Sequence, residues 1–166
     1  MHTAGFARAL GTIFEELVNG SSESGGYVLN ARDEGLLRSL DKLSSEQASA
    51  LTPTGSSVAA HVDHVRYGLS LMNRWAHGEK PFGDADWSSS WRRTVVTEDE
   101  WQRLRMAIRS EAGNWIEELR TEREVDEIEL NGMIGSVAHM AYHLGAIRQI
   151  DRMARGPVEA NLASRP

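Results

Sequence analysis

Ala138-His139-Met140-Ala141-Tyr142-His143-Leu144-Gly145-Ala146-Ile147-Arg148-Gln149-Ile150 is the stretch on which the fold reading turns. Its apolar positions do not alternate as a half-buried strand requires, but recur three and four residues apart, the period of a helix. At that period His139 and His143 stack one turn apart on a face shared with Ala146, Ile147 and Ile150. Imidazoles buried on an apolar face without a partner are costly. Two of them one turn apart can bind a single metal ion. The stretch therefore predicts a helix that turns metal-binding chemistry toward a helical core.

Outward from this stretch, the helix extends from about Leu130 to Arg155, where Gly156-Pro157 stops it. A charged connection, Arg120 to Glu127, precedes it. Before that comes a long helix carrying Trp101, Leu104, Ile108, Trp115 and Leu119. It opens at Thr97-Glu98-Asp99-Glu100, which has the spacing of a capping box and an acidic first turn suited to the helix dipole. Residues 78–96 contain Pro81, Gly83 and serines between Trp87 and Trp91, and read as a long ordered loop.

Ser57 to His77 is another long helix, ended by Gly78, with Val58, Val62, Val65, Leu69 and Met72 along one face. Beside that stripe run Ser57, His61, His64, Gly68, Leu71 and Trp75. Phe6, Leu10, Ile13, Phe14 and Leu17 mark a first helix from Ala4 to Val18, stopped by Asn19-Gly20. A Gly/Ser connection, a short helix over 33–43 and a brief turn capped by Ser44 or Ser45 follow, before Pro53-Thr54-Gly55 breaks the chain. Four long amphipathic helices predict an all-α protein, a four-helix bundle. One domain over 1–157 is expected, with 158–166 a loose tail. The last helix carries apolar residues on two faces, Ile134, Val137, Ala141 and Leu144 on one, Ile147 and Ile150 on the other. This predicts burial on both sides, by either a deep position in the bundle or a subunit contact, and a homodimer is the preferred expectation.

The chain of 166 residues has a formal net charge of −6, which offers no basic footprint for nucleic acid. It has no cysteine, so a transition-metal site must use imidazole and carboxylate. The first residues lack the basic-then-apolar order of a leader, and no run is long enough to span a membrane. A cytoplasmic protein acting without membrane or nucleic acid is expected.

Met140 stands where a zinc protease of the two-histidine helical type needs a glutamate, so that activity is not indicated. A third ligand from the facing helix is offered by His61 or His64, and the helical period leaves both open. Three protein ligands leave a position for water or substrate, the pattern of a catalytic site. Trp87 and Trp91 lie in a loop where no helix face demands them, and either wall a pocket beside the metal or plug the end of the bundle. Tyr67, Tyr142 and Arg148 are candidates to position or polarise a substrate, and equally read as packing or surface residues. Asp63 points about 100° from His64 on a helix, which makes it a poor group to orient that imidazole. His2 and His77, at a terminus and a helix end, read as exposed.

The string from Ala138 to Ile150, together with Ser57-Val58-Ala59-Ala60-His61-Val62-Asp63-His64-Val65, resembles the DinB/YfiT-like superfamily of metal-dependent enzymes. The resemblance spans most of the chain. It implies a four-helix bundle whose ligands are one histidine from the second helix, seven residues after a serine, and two from the late pair. Carried onto this sequence, those ligands are His64, His139 and His143. Gly145 and Gln149 are similar in kind to residues that follow the family's second histidine. The resemblance also supports a homodimer. It implies Zn²⁺ or Ni²⁺ acting on water or a thiol, as a metal-dependent hydrolase or a thiol S-transferase or isomerase, with a low-molecular-weight thiol as partner. The alternative is a non-catalytic metal-binding or stress-related binding protein, because no general acid or base accompanies the three histidines in sequence.

Overall fold

Polar side chains mark where the helices start. The computed structural model describes residues 3–154, with helices α1 (Thr3–Asn19), α2 (Gly35–Asp41), α3 (Ser45–Ala48), α4 (Val58–Ala76), α5 (Glu98–Arg120) and α6 (Glu127–Ile150). Ser57 Oγ accepts from the Ala60 N–H at the head of α4. Thr97 and Glu100 form the expected capping box ahead of α5. Each such cap is worth about 1 kcal/mol. No strand occurs among the described residues; an isolated bridge joins Ser22 and Gly25. The protein is all-helical, and no described helix is long and apolar enough to cross a membrane.

The four long helices share one core. α4 packs on α5 and α6, and α1 packs on the same two. Phe14 and Leu17 of α1, Val62 of α4, Ile108 of α5 and Ile147 of α6 are all buried in it. Burying a side chain of this size stabilises by about 1.5–3 kcal/mol. Two tryptophans of α5 enter with their polar edges satisfied: Trp101 Nε1 donates to the Leu43 carbonyl and Trp115 Nε1 to Ser136 Oγ, both at 2.8 Å. The short helix α2 docks on α1 through two glycines. Gly20 and Gly35 both have positive φ, and a Cβ on Gly20 would lie 2.2 Å from the Asp33 carbonyl oxygen. No larger residue fits there without moving the chain.

Two boundaries of the last helix differ from expectation. It starts at Glu127 rather than Leu130, because Asp126 accepts from the Glu129 N–H and the Glu129 side chain returns the bond. It ends at Ile150, where Asp151 takes an extended conformation before a 3-10 turn over Arg152–Ala154. Arg155, the Gly156-Pro157 stop and the tail 158–166 lie outside the described residues. The expected two-sided burial of this helix is also only partial. Met133, Met140, Leu144 and Ile147 are buried, whereas Ile134 is exposed. With 3.6 residues per turn, Ile134 lies about 100° around the helix axis from Met133, beyond the reach of α1 and α4.

Candidate metal centre

Where α4 lies against α6, His64 meets His139 and His143. His139 Nε2 is 3.1 Å from His64 Nε2 and 3.0 Å from His143 Nε2. One nitrogen from each of the three rings lies within 4.8 Å of the others. A tetrahedral ion at about 2.0–2.1 Å from imidazole nitrogens separates them by about 3.3 Å, so the spacing suits one ion. His64 and His143 are buried, and His139 is partly so. The i,i+4 pair comes together as helix geometry requires. The third histidine arrives from the neighbouring helix.

The surrounding hydrogen bonds decide which nitrogens carry protons. Ser90 Oγ donates to the Trp87 carbonyl at 2.7 Å. A carbonyl can only accept, so the same hydroxyl is left to accept from His64 Nδ1, 2.8 Å away. His64 therefore holds its hydrogen on Nδ1 and turns a lone pair inward from Nε2. No arrangement of neutral tautomers then places a hydrogen in both of the contacts made by His139 Nε2. If that nitrogen donates to His64, it has no in-plane lone pair left to accept from His143. Three imidazoles whose inward nitrogens cannot satisfy one another are a donor set that fits a cation.

His61 stands outside this convergent set. Its Nδ1 lies 2.9 Å from Nδ1 of His143, on the far side of that ring from His139. With the His143 lone pair at Nε2, Nδ1–H of His143 donates to His61. The two histidines of α4 thus divide the work, His64 facing the other two ligand candidates and His61 backing one of them. Neither Ser90 nor the backing role of His61 was legible in the sequence. Ser90 belongs to a loop with no periodicity to read, and its proximity to His64 arises only when 78–96 folds across α4.

Burial holds all four imidazoles neutral. His143 is pushed down to about 3 and His64 to about 4 by burial first, and then by the neighbouring histidines. His61 and His139 are also lowered by burial. Neutral imidazole is the form that binds a metal, so at neutral pH no proton has to leave these rings first.

Aromatic side chains close the site from the loop side. Trp91 stacks on His64 with ring centroids 4.3 Å apart, and Trp87 lies 5.7 Å from the same ring. Of the two roles open to these tryptophans, walling the site is the one observed. The loop that carries them, with Trp91 in the 3-10 turn Ser89–Trp91, is strapped to α4. Tyr67 Oη accepts from the Asp86 N–H, Ser57 Oγ donates to the Thr94 carbonyl, and Asp63 pairs with Arg66 and Arg93. Asp63 accordingly holds the loop, not an imidazole. Arg148 is bound in a bidentate pair with Asp33, the Nη1–Oδ2 arm at 2.8 Å, and so serves the fold. Tyr142 is exposed and lies edge-on to His143 with centroids 4.9 Å apart. The His77 side chain is exposed, as expected, and His2 lies outside the described residues.

Compared with known proteins, the chain matches no family model, no curated protein and no solved structure.

Proposed function

We propose that this protein is a metal-dependent enzyme in which His64, His139 and His143 hold one divalent cation, zinc or nickel, with a coordination position left for substrate. The observation that carries this is the convergence of three neutral imidazole nitrogens, with the outer side of His64 held by Ser90 and that of His143 by His61. Such backing is what fixes tautomer and ring orientation in metal sites. When bound, the ion supplies Lewis acidity, lowering the pKa of a water or thiol so that a nucleophile exists near neutral pH. The chain's own residues supply the rest. Trp91 and Trp87 limit water at His64, and Ser90 keeps the Nε2 lone pair of His64 turned inward.

The four long helices are read as a four-helix bundle of the DinB/YfiT-like kind, and the reaction as thiol-dependent transfer or isomerisation with a low-molecular-weight thiol. The exposed Ile134 and Tyr142 on α6 support a homodimer through that helix. Elemental analysis of wild type against His64→Ala and His143→Ala tests the site. Wild type should carry one equivalent and both variants far less. A full equivalent in both variants overturns the proposal, whereas loss only in His61→Ala moves the α4 ligand to His61. Metal-loaded protein that consumes no thiol across a panel of electrophiles overturns the transferase reading and leaves a hydrolase or a non-catalytic metal protein.

A further inference from the structure

Beside His139, between α4 and α6, is a cavity of about 190 Å³ that the metal reading does not use. An apolar cavity of about 150 Å³ is large enough to take benzene. Val65, Leu69 and Met72 line it from α4 and Met140 from α6, with Trp87 at the loop side. Trp87 turns the six-membered edge of its indole inward, since Cζ3 and Cη2 are its atoms nearest to where a Cβ on Gly68 would sit. The hydroxyl of Ser136 is already engaged, accepting from Trp115 Nε1 and donating to the Met133 carbonyl. What the cavity offers a ligand is apolar surface with His139 at one end.

Three glycines leave this space open. Gly68 lies within α4, and Gly132 and Gly135 within α6, where glycine weakens a helix relative to alanine. None of the three has the positive φ that would demand glycine. Crowding does not demand it either. A Cβ on Gly132 would meet only Met72 Cε, at 3.8 Å, one on Gly135 would meet nothing within 4 Å, and one on Gly68 would make ordinary contacts from 3.5 Å. An alanine Cβ has room at all three positions, and a side chain there would take space that the glycines leave to the cavity.

We propose that this cavity receives a compact apolar group, a single six-membered ring or a branched chain of similar size, on a molecule whose metal-coordinating head reaches the three histidines. The cavity's volume sets the size of the group, its lining sets the chemistry, and His139, shared by cavity and cluster, sets the distance between body and head. The role of the head rests on the metal reading. The apolar occupant does not.

Zinc-loaded full-length protein titrated calorimetrically with benzohydroxamate and acetohydroxamate tests this. The two probes share a chelating head and differ only in phenyl against methyl. Benzohydroxamate should bind about tenfold tighter or more, from the additional carbons removed from water. Gly132→Leu should erase that advantage while keeping its zinc and its acetohydroxamate affinity. Equal affinity of the wild type for both probes overturns the inference. A measurement that needs no variant is toluene added to metal-free protein with methyl-labelled methionines. The Met72 and Met140 methyl signals should shift, and unshifted signals overturn the apolar site. Protein that takes up no zinc yet shows those shifts keeps the cavity assignment and overturns the metal reading alone.

Discussion

Ser90→Ala isolates one hydrogen-bond chain at the candidate site. The Ser90 hydroxyl bridges His64 Nδ1 at 2.8 Å and the Trp87 carbonyl at 2.7 Å, and is buried. Alanine removes the acceptor from a histidine that is itself 8% exposed. Two responses are open to His64. It can keep its hydrogen on Nδ1 with no partner, at a cost of about 1–3 kcal/mol for a buried unsatisfied donor. Or it can move the hydrogen to Nε2, which removes the inward lone pair. Zinc on Nε2 forces the first state and its cost, whereas the metal-free protein escapes it through the second, so zinc affinity should fall about 10–100-fold, or about 1.4–2.8 kcal/mol. Competition against a chromophoric chelator measures it. Ser89→Ala is the matched control, because that hydroxyl only donates to the exposed Asp86 carbonyl, and its affinity should equal wild type. An unchanged zinc affinity in a folded Ser90→Ala protein would refute the chain of bonds and the tautomer assigned from it.

Other perturbations follow from the same contacts. The folded values of His64 and His143, about 4 and about 3, lie below the ordinary 6.5. The unfolded chain therefore binds more protons between those limits, and the metal-free protein should lose stability as pH falls from about 6.5 toward 4 and then 3. The slope approaches about 1.4 kcal/mol per pH unit for each histidine; urea midpoints that do not change across this range would contradict it. Arg148→Met leaves the buried Asp33 without its bidentate partner and should cost about 3–5 kcal/mol in urea unfolding. Glu16 accepts from the backbone N–H groups of Tyr27, Val28 and Leu29 at 2.6–2.8 Å. Glu16→Ala should therefore loosen residues 21–32, read as new protease cleavage near the exposed Tyr27, while zinc binding is retained.

The sequence by itself determined the local features. Thr97 to Glu100 placed the head of α5, because a capping box is written in four residues and needs no distant partner. His139 and His143 fell together because four residues span one helical turn. The head of α6 was equally local, in Asp126 and Glu129, but a charged connection masked it. Everything that joined two elements was decided by the tertiary structure. His61 and His64 share one flank of α4, and periodicity leaves them equivalent. Only the packing of α4 against α6 sets His64 toward His139 and His61 behind His143. The same packing makes Arg148 an ion-pair partner of Asp33, 115 residues away, and puts Ser90 behind His64. A helical pattern records which side of a helix is apolar, but not how a neighbouring helix is rotated or which loop crosses it. Those depend on the fit of side chains across the interface.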